Sequence, residues 1–275
     1  MASRLRELPP SGHGRARGLV SSRRSGSRIE AHSFAPPDDL ADVIESFWVG
    51  RWDLRGQEPH VTELLGDPCV HVVAEAGSSR VVGVWTRRWI RRLEGRGQVR
   101  AAKLRVGAVR AFVPVPAVEL TDRLVPLAEL LPLRADELER AVLEPSDDLE
   151  ALERLAERLR ALRDPGQGAR VAEAVAVAEH LRDPDVLTVE ALAERSGLPI
   201  RTLQRLFREH VGAPPKALLR RIRLQEAALS IERGRATSLA RLAAELGYTD
   251  QAHLTRDFRA VVGVTPGQLG RRLRD

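Results

Sequence analysis

One cysteine, two lysines and no long apolar run set the first limits on this 275-residue chain. A single thiol, Cys69, cannot close a disulfide within the chain and fits a reducing, cytoplasmic compartment. No window approaches the roughly 18 uninterrupted apolar residues of a membrane-spanning helix. Arg23-Arg24 runs into Ser-Gly-Ser-Arg rather than an apolar stretch, so no secretion signal is expected. No Ser-His-Asp arrangement, glycine-rich phosphate loop or paired-acid motif stands out, and no enzyme is expected. Because only Lys103 and Lys216 are lysines, 42 of the 44 basic residues are arginines.

What is present is a globular composition, 43% hydrophobic and 30% charged, long enough for two domains. The net charge of +6 is uneven. Residues 1–28 carry seven Arg against one Glu, residues 29–170 carry 20 basic against 24 acidic side chains, and residues 171–275 carry 17 against 13. A basic head and tail around an acidic middle suggest that a polyanion meets the ends.

Residues 1–28, rich in Arg, Ser, Gly and Pro and without apolar periodicity, read as a disordered basic arm. Residues 29–135 read as β-rich. A short helix is expected over Asp39–Phe47, then strands at Cys69–Ala74, Arg80–Trp85 and Gln98–Val106, with Ala76–Ser79 as a hairpin loop. Spacing of this kind suggests a small antiparallel sheet or barrel. From Asp122 the pattern turns helical, and residues 136–166 read as a helical linker. Leu149, Leu152, Leu155, Leu159 and Leu162 form a stripe that either packs on its own domain or pairs with a second copy. Asp164–Gly168 is a breaker and the expected boundary, and residues 167–275 read as almost wholly helical. The expected fold class is therefore α+β, with a β-rich front and an all-α end.

The most informative feature is an internal repeat. Leu203–Pro215 aligns with Leu254–Pro266 at an offset of 51 with seven of 13 identities, while Leu192-Ala193 and Gly197 match Leu242-Ala243 and Gly247 at an offset of 50. Each copy reads as a short helix closed by glycine, a turn, and a second helix. At about 100° per residue, Leu203, Phe207 and His210 share one face, and Leu254, Phe258 and Val261 share its counterpart. The opposite faces carry Arg201, Arg205 and Arg208 in one copy, and Ala252, Arg256 and Arg259 in the other. A helix that packs on one side and shows arginines on the other suits the major groove of DNA. Pro214–Ile231 between the copies reads as a long helix, whose Arg220, Arg221 and Arg223 either touch phosphate or face water.

From Leu187 to Arg272 the sequence resembles the AraC/XylS family of bacterial transcription regulators. The resemblance rests on Gly247-Tyr-Thr-Asp-Gln-Ala-His-Leu-Thr-Arg-Asp-Phe-Arg-Ala-Val-Val-Gly-Val-Thr-Pro266 and on Arg223 and Ala227 in the connecting helix. It implies two helix-turn-helix units on one seven-helix domain, reading successive major-groove segments. It also implies DNA-contacting roles for Arg201, Gln204 and Arg205 in the first unit and Gln251, Thr255 and Arg256 in the second. Thr202, Arg208, His253 and Arg259 complete the candidate set. Pro199, Ser230, Ala252 and Leu254 depart from the family pattern and bear on binding rather than on the fold.

Front domains of this family commonly sense a ligand on a cupin-like barrel. Residues 33–135 resemble a group of such domains through Phe47-Trp48, Leu65-Gly-Asp-Pro-Cys69 and Leu120–Leu127. His60, Glu63, Cys69 and His71 lack the paired His-x-His spacing of a cupin metal site, so neither metal nor cofactor is expected. The four tryptophans, Trp48, Trp52, Trp85 and Trp89, all fall here. Trp48, Trp52 and Trp85, with Glu63 or His71 as polar handles, either line an effector pocket or pack as core. The expected partners are double-stranded DNA, RNA polymerase, a small-molecule effector and a second copy of the chain, with no membrane. Two rivals stand beside a ligand-controlled regulator: a front domain that binds only protein, and an enzyme targeted to DNA.

Overall fold

The computed structural model describes residues 5–8, 19–22, 29–64, 68–236 and 238–272. The strands are β1 (Arg6–Glu7), β2 (Leu19–Ser22), β3 (Ile29–Ala35), β4 (Ile44–Asp53), β5 (His60–Leu64), β6 (His71–Glu75), β7 (Arg80–Val82), β8 (Trp89–Leu93), β9 (Arg96–Leu104) and β10 (Leu124–Pro126). Seven pair antiparallel in the order β1-β3-β4-β9-β6-β7-β10 and three in the order β2-β5-β8. The larger sheet keeps free edges at β1 and β10, so the barrel that the sequence suggested is not closed.

Three local expectations need correction. Asp39–Phe47 is not a helix: a single turn at Asp38–Leu40 leads into β4. A bulge between Ile44 and Ser46 lets Ile44 and Phe47, three residues apart, both face the core. The segment from Asp122 opens with β10 before the first helix. Within the expected disordered arm, Arg6–Glu7 pairs with Phe34–Ala35 and Leu19–Ser22 pairs with β5, because an edge strand needs only backbone partners. The rest of the arm, apart from residues 5 and 8, lies outside the described residues, as do residues 65–67 of the Leu-Gly-Asp-Pro-Cys turn.

The helices are α1 (Leu127–Leu130), α2 (Ala135–Leu143), α3 (Asp148–Leu162), α4 (Gly168–Glu179), α5 (Val189–Ser196), α6 (Ile200–Leu206), α7 (Pro215–Glu232), α8 (Leu239–Glu245), α9 (Gln251–Val262) and α10 (Pro266–Arg272). Asp147 caps α3 by accepting from the Glu150 amide at 2.8 Å. Leu152, Leu155 and Leu159 are buried in the core of the chain itself, and Leu162 packs against that core. The stripe is therefore not a dimer surface, since its apolar face is already covered. Arg100, 1% exposed, ties these helices to β9. It donates to the Val142 carbonyl at 2.6 Å, the Pro145 carbonyl at 3.1 Å and Asp148 at 2.8 Å. Burial alone pushes the Asp148 carboxyl up, but hydrogen bonds from Arg51 and Arg100 hold it below its usual value.

One apolar core runs from the sheet through α3, α4, α5 and α6 to Leu219, crossing the Asp164–Gly168 breaker without interruption. A second, smaller core begins at Leu224 and joins the end of α7 to α8, α9 and α10. The front sheet and the first copy of the repeat are thus one packed body, and the second copy has its own core. Arg105 pairs with Glu179 at 3.1 Å and Arg182 with Glu45 at 3.2 Å across the first junction. His210 is buried in a crevice there with Cys69, Val84, Gly107 and Val211, and its Nδ1 has no hydrogen-bond partner among the described residues. Burial first, then Arg110 and Arg170, lowers its pKa against the opposing pull of Glu209 and Glu173.

Two predictions follow from this packing. Leu159→Ala should lower stability by about 2–5 kcal/mol in urea denaturation of the full chain, whereas Leu149→Ala, at a position 40% exposed, should change it by about 0.5 kcal/mol or less. Folded His210 binds its proton more weakly than the unfolded chain, so stability should fall as pH drops below the ordinary value of about 6.5. Melting His210→Gln beside the parent chain between about pH 7.5 and 5.5 should show a smaller loss in the variant.

Candidate nucleic-acid interface

The two copies of the repeat fold alike. Thr188 Oγ1 caps α5 by accepting from the Ala191 amide at 3.1 Å, and Ser238 Oγ caps α8 by accepting from the Arg241 amide at 3.1 Å. Gly197 and Gly247 follow these helices with φ of 66° and 69°. Leu198-Pro199 then leads to α6, whereas Tyr248-Thr249-Asp250 leads to α9, which accounts for the shift in offset from 50 to 51. Asp250 caps α9 through the His253 amide at 2.6 Å, while Pro199 leaves α6 without a side-chain cap.

Beyond Leu206 the first copy widens into one π-helical turn, Phe207–Val211, before Gly212. Leu203, Phe207 and His210 face inward there, as Leu254, Phe258 and Val262 do in α9. Outward, α6 and its extension expose Arg201, Gln204, Arg205 and Arg208, with Thr202 half-buried. On α9 Gln251, Ala252, Arg256 and Arg259 are exposed, while His253 and Thr255 are half-buried. The His253 ring meets Tyr248 edge-on at 5.0 Å.

The electrostatics separate these arginines from most others. Glu75 takes both Arg80 and Arg91 at 2.8 and 2.7 Å, and Asp148 takes both Arg51 and Arg100. By contrast Arg201, Arg205, Arg208, Arg256 and Arg259 have no carboxylate partner among the described residues. Five guanidinium groups thus stand on the exposed faces of two equivalent helices with their donors unused.

The connecting helix α7 departs from the sequence expectation. Arg220 pairs bidentately with Asp257 of α9, both contacts at 2.8 Å. Arg221 is buried and donates to the Arg87 carbonyl at 3.3 Å. Arg223 lies over the Tyr248 ring at 5.1 Å and donates to the Leu246 carbonyl at 3.4 Å. All three hold protein rather than facing open water. Burial pushes the Tyr248 phenol up to about 12.

Sequence reasoning passed over Ile200, which opens α6 and is 38% exposed beside Arg201. Its signal was an apolar residue aligned with the polar Gln251 at the offset of 51.

In the front domain, Trp48 and Trp52 lie on the sheet face opposite the main core, packed with Val73, Val82, Val99 and Ala101. Trp48 Nε1–H donates to His71 Nδ1 at 3.2 Å, so the His71 proton sits on Nε2, which faces Cys69 Sγ at 3.4 Å. Both ring nitrogens of His71 are thereby engaged. Trp52 donates to the Glu94 carbonyl at 3.1 Å and lies under Arg91. Trp85 stands apart, edge-on to Trp89 at 4.7 Å. The Glu63 backbone pairs with Ile90, and its side chain lies outside the described residues.

Two family models match the chain: a helix-turn-helix domain over residues 192–272, and a domain of unknown function (DUF6597) over residues 32–126. The transcriptional activator RhaS of Pectobacterium carotovorum subsp. carotovorum is 34% identical over 79 residues, 29% of this chain and 28% of that protein. The transcriptional regulator GlxA of Rhizobium meliloti is 35% identical over 82 residues, 30% of this chain and 25% of that protein. Among solved structures, an AraC-type regulator from Chromobacterium violaceum has 21% identity and a TM-score of 0.34, covering 40% of this chain and 96% of its own. ToxT from Vibrio cholerae has 9% identity and a TM-score of 0.36, covering 75% of this chain and 86% of its own. Matches to the curated relatives thus span about a quarter of their length. Over residues 192–272 the chain carries a helix-turn-helix domain of the AraC type.

Proposed function

We propose that the protein is a sequence-specific, DNA-binding regulator of transcription that works in a reducing cytoplasm. In this reading residues 167–275 are the DNA-binding unit, with two helix-turn-helix units whose second helices, α6 and α9, enter successive major-groove segments. The observation that carries the reading is the set of five arginines without carboxylate partners on the exposed faces of those helices. An Arg there can bind guanine bidentately or clamp a phosphate. Gln204 and Gln251 offer amide groups to adenine edges, with Thr202, His253 and Thr255 at the flanks. Ile200 adds an apolar contact of the kind that thymine methyls accept. Because one chain carries both helices, binding requires no second copy. RNA polymerase is the partner that a regulator of this kind acts on.

The front unit, residues 29–135, with the helices of 136–166, is read as the control element. Packing of Trp48 and Trp52 on Val73, Val99 and Ala101, with His71 satisfied internally, speaks against a small-molecule pocket at these residues and leaves an effector site elsewhere or a protein partner as the two forms of control. A thermal-shift screen of metabolites on the full chain separates the two, since a ligand that raises the melting temperature restores the effector reading.

The two helices should divide the work. Arg205→Ala should lose about 1–3 kcal/mol of discrimination between specific and scrambled duplexes, because Arg201, Gln204 and Ile200 make its surroundings a reading surface. Arg256→Ala, beside Ala252, should instead weaken both duplexes alike and shallow the log–log salt slope by about one. Binding titrations across a salt series measure both. Equal losses on the two duplexes for Arg205→Ala would reverse the assignment.

A further inference from the structure

The front domain holds the ends of both candidate DNA-contacting helices at equivalent positions of the repeat. Gly212 and Gly263 close the two helices, with φ of 95° and 84°. A Cβ on Gly212 would lie 2.9 Å from the Ala117 carbonyl oxygen, and Thr121 Oγ1 donates to the Gly212 carbonyl. A Cβ on Gly263 would lie 2.6 Å from Arg88 Nη1. At Gly212 the neighbour is backbone, which leaves no room for a Cβ, whereas at Gly263 it is the end of the Arg88 side chain, laid across a glycine that its positive φ already requires.

The two contacts come from two front-domain segments that are hydrogen-bonded to each other. Asp122, next to Thr121, is the single non-glycine residue with positive φ, 55°, among the described residues. Its carboxylate accepts from the Thr86 amide and the Thr86 hydroxyl, both at 2.6 Å, and its amide donates to the Val84 carbonyl at 3.0 Å. That pins the loop whose next residues are Arg87, which offers its carbonyl to Arg221 of α7, and Arg88, which covers Gly263. The turn at residues 117–122 thus grips the first helix directly and the second through Arg88.

Such a grip matters most for α9. The first helix is already embedded in the large core, whereas α9 belongs to the small separate one. The small core and Arg220–Asp257 fix α9 to α7, α8 and α10, so what is left to set is how this unit as a whole sits against the front domain. Arg88 supplies a point of that contact, at the far end of α9.

We propose that the Ala117–Asp122 turn and Arg88 form a two-armed clamp, with Arg88 and Asp122 as positioning residues that set the distance between the two DNA-contacting helices. Through the clamp the front domain controls which half-site spacing the protein accepts. This rests on the DNA-binding reading above, but the geometry of the clamp can be tested without DNA.

The experiment places spin labels at Glu194→Cys and Ala260→Cys, both exposed and one in each half, in a Cys69→Ala background of the full chain. The distance distribution is measured without DNA for the parent and for Arg88→Gln. In parallel, unlabelled chains are titrated against a duplex selected with the full-length parent from a random pool, and against the same duplex with one base pair inserted between the half-sites. Arg88→Gln should broaden the distribution and reduce the parent's preference for the original spacing by roughly fivefold or more. Asp122→Asn, which suits positive φ and removes the charge, should act in the same direction and decides the matter if Arg88→Gln does not fold. An unchanged distribution overturns the clamp. A broadened distribution with spacing preference intact overturns its role in reading DNA. Should the parent select no sequence at all, the regulator reading falls, and the distance measurement alone decides whether the clamp exists.

Discussion

Leu203, Phe207 and Val211 turn one side of the first DNA-contacting segment into the same apolar core as Phe47, Val72 and Leu104 of the front sheet. Much of the rest depends on that continuity. It lets Gly212 sit against the Ala117 carbonyl, brings α4 against Gly107, and leaves the arginines of α6 on the only side not committed to packing. A chain built as two independent domains on a linker would leave their relative orientation to the linker. Here the orientation is set by close packing, which has few alternative arrangements of similar energy.

Arginine serves two opposite ends in this sequence. In the front domain its planar guanidinium makes the shared and bidentate pairs that bridge segments far apart in the chain, as at Glu75, Asp148 and Glu45. The more exposed of these, such as Arg105–Glu179, contribute little to stability individually and act mainly to fix register. On α6 and α9 the same side chain is left without carboxylates. Its donors are then matched to whatever anion approaches, at no cost in broken internal pairs.

Legibility in the sequence followed the range of the interaction concerned. The repeat was readable because helix periodicity, closing glycines and outward arginines are local, and the folded helices keep the inferred faces except that Val262, rather than Val261, completes the buried side of α9. The strands at His71–Glu75, Arg80–Val82 and Arg96–Leu104 were readable for the same reason. Ile44 and Phe47 misled because the bulge in β4 gives two inward residues a spacing of three, which in a regular chain signals a helix. The leucines of α3 revealed a buried face but not what buries it, since an amphipathic stripe has the same form against its own sheet or a second chain. For Arg220, Arg221 and Arg223 the sequence shows charge but not the carboxylate, carbonyl and ring that meet it from 37, 134 and 23–25 residues away.

The two copies of the repeat, so alike in sequence, differ in what holds them. The first shares a core with more than 30 other buried residues, and opening it would expose much of the sheet. The second rests on a cluster drawn from α7 to α10 alone, centred on Leu254 and Phe258. Local opening free energy scales with the buried contacts that must be given up, so α8 to α10 should form the less protected unit in hydrogen exchange. Its attachments to the rest include the polar contacts of Arg220 with Asp257 and Arg223 with Tyr248, beside Leu187 against Gly247 and Arg88 against Gly263. Polar attachments are directional and partly screened by salt, whereas apolar ones are neither. The position of the second helix is therefore the adjustable quantity in this fold, and the position of the first is the reference from which it is set.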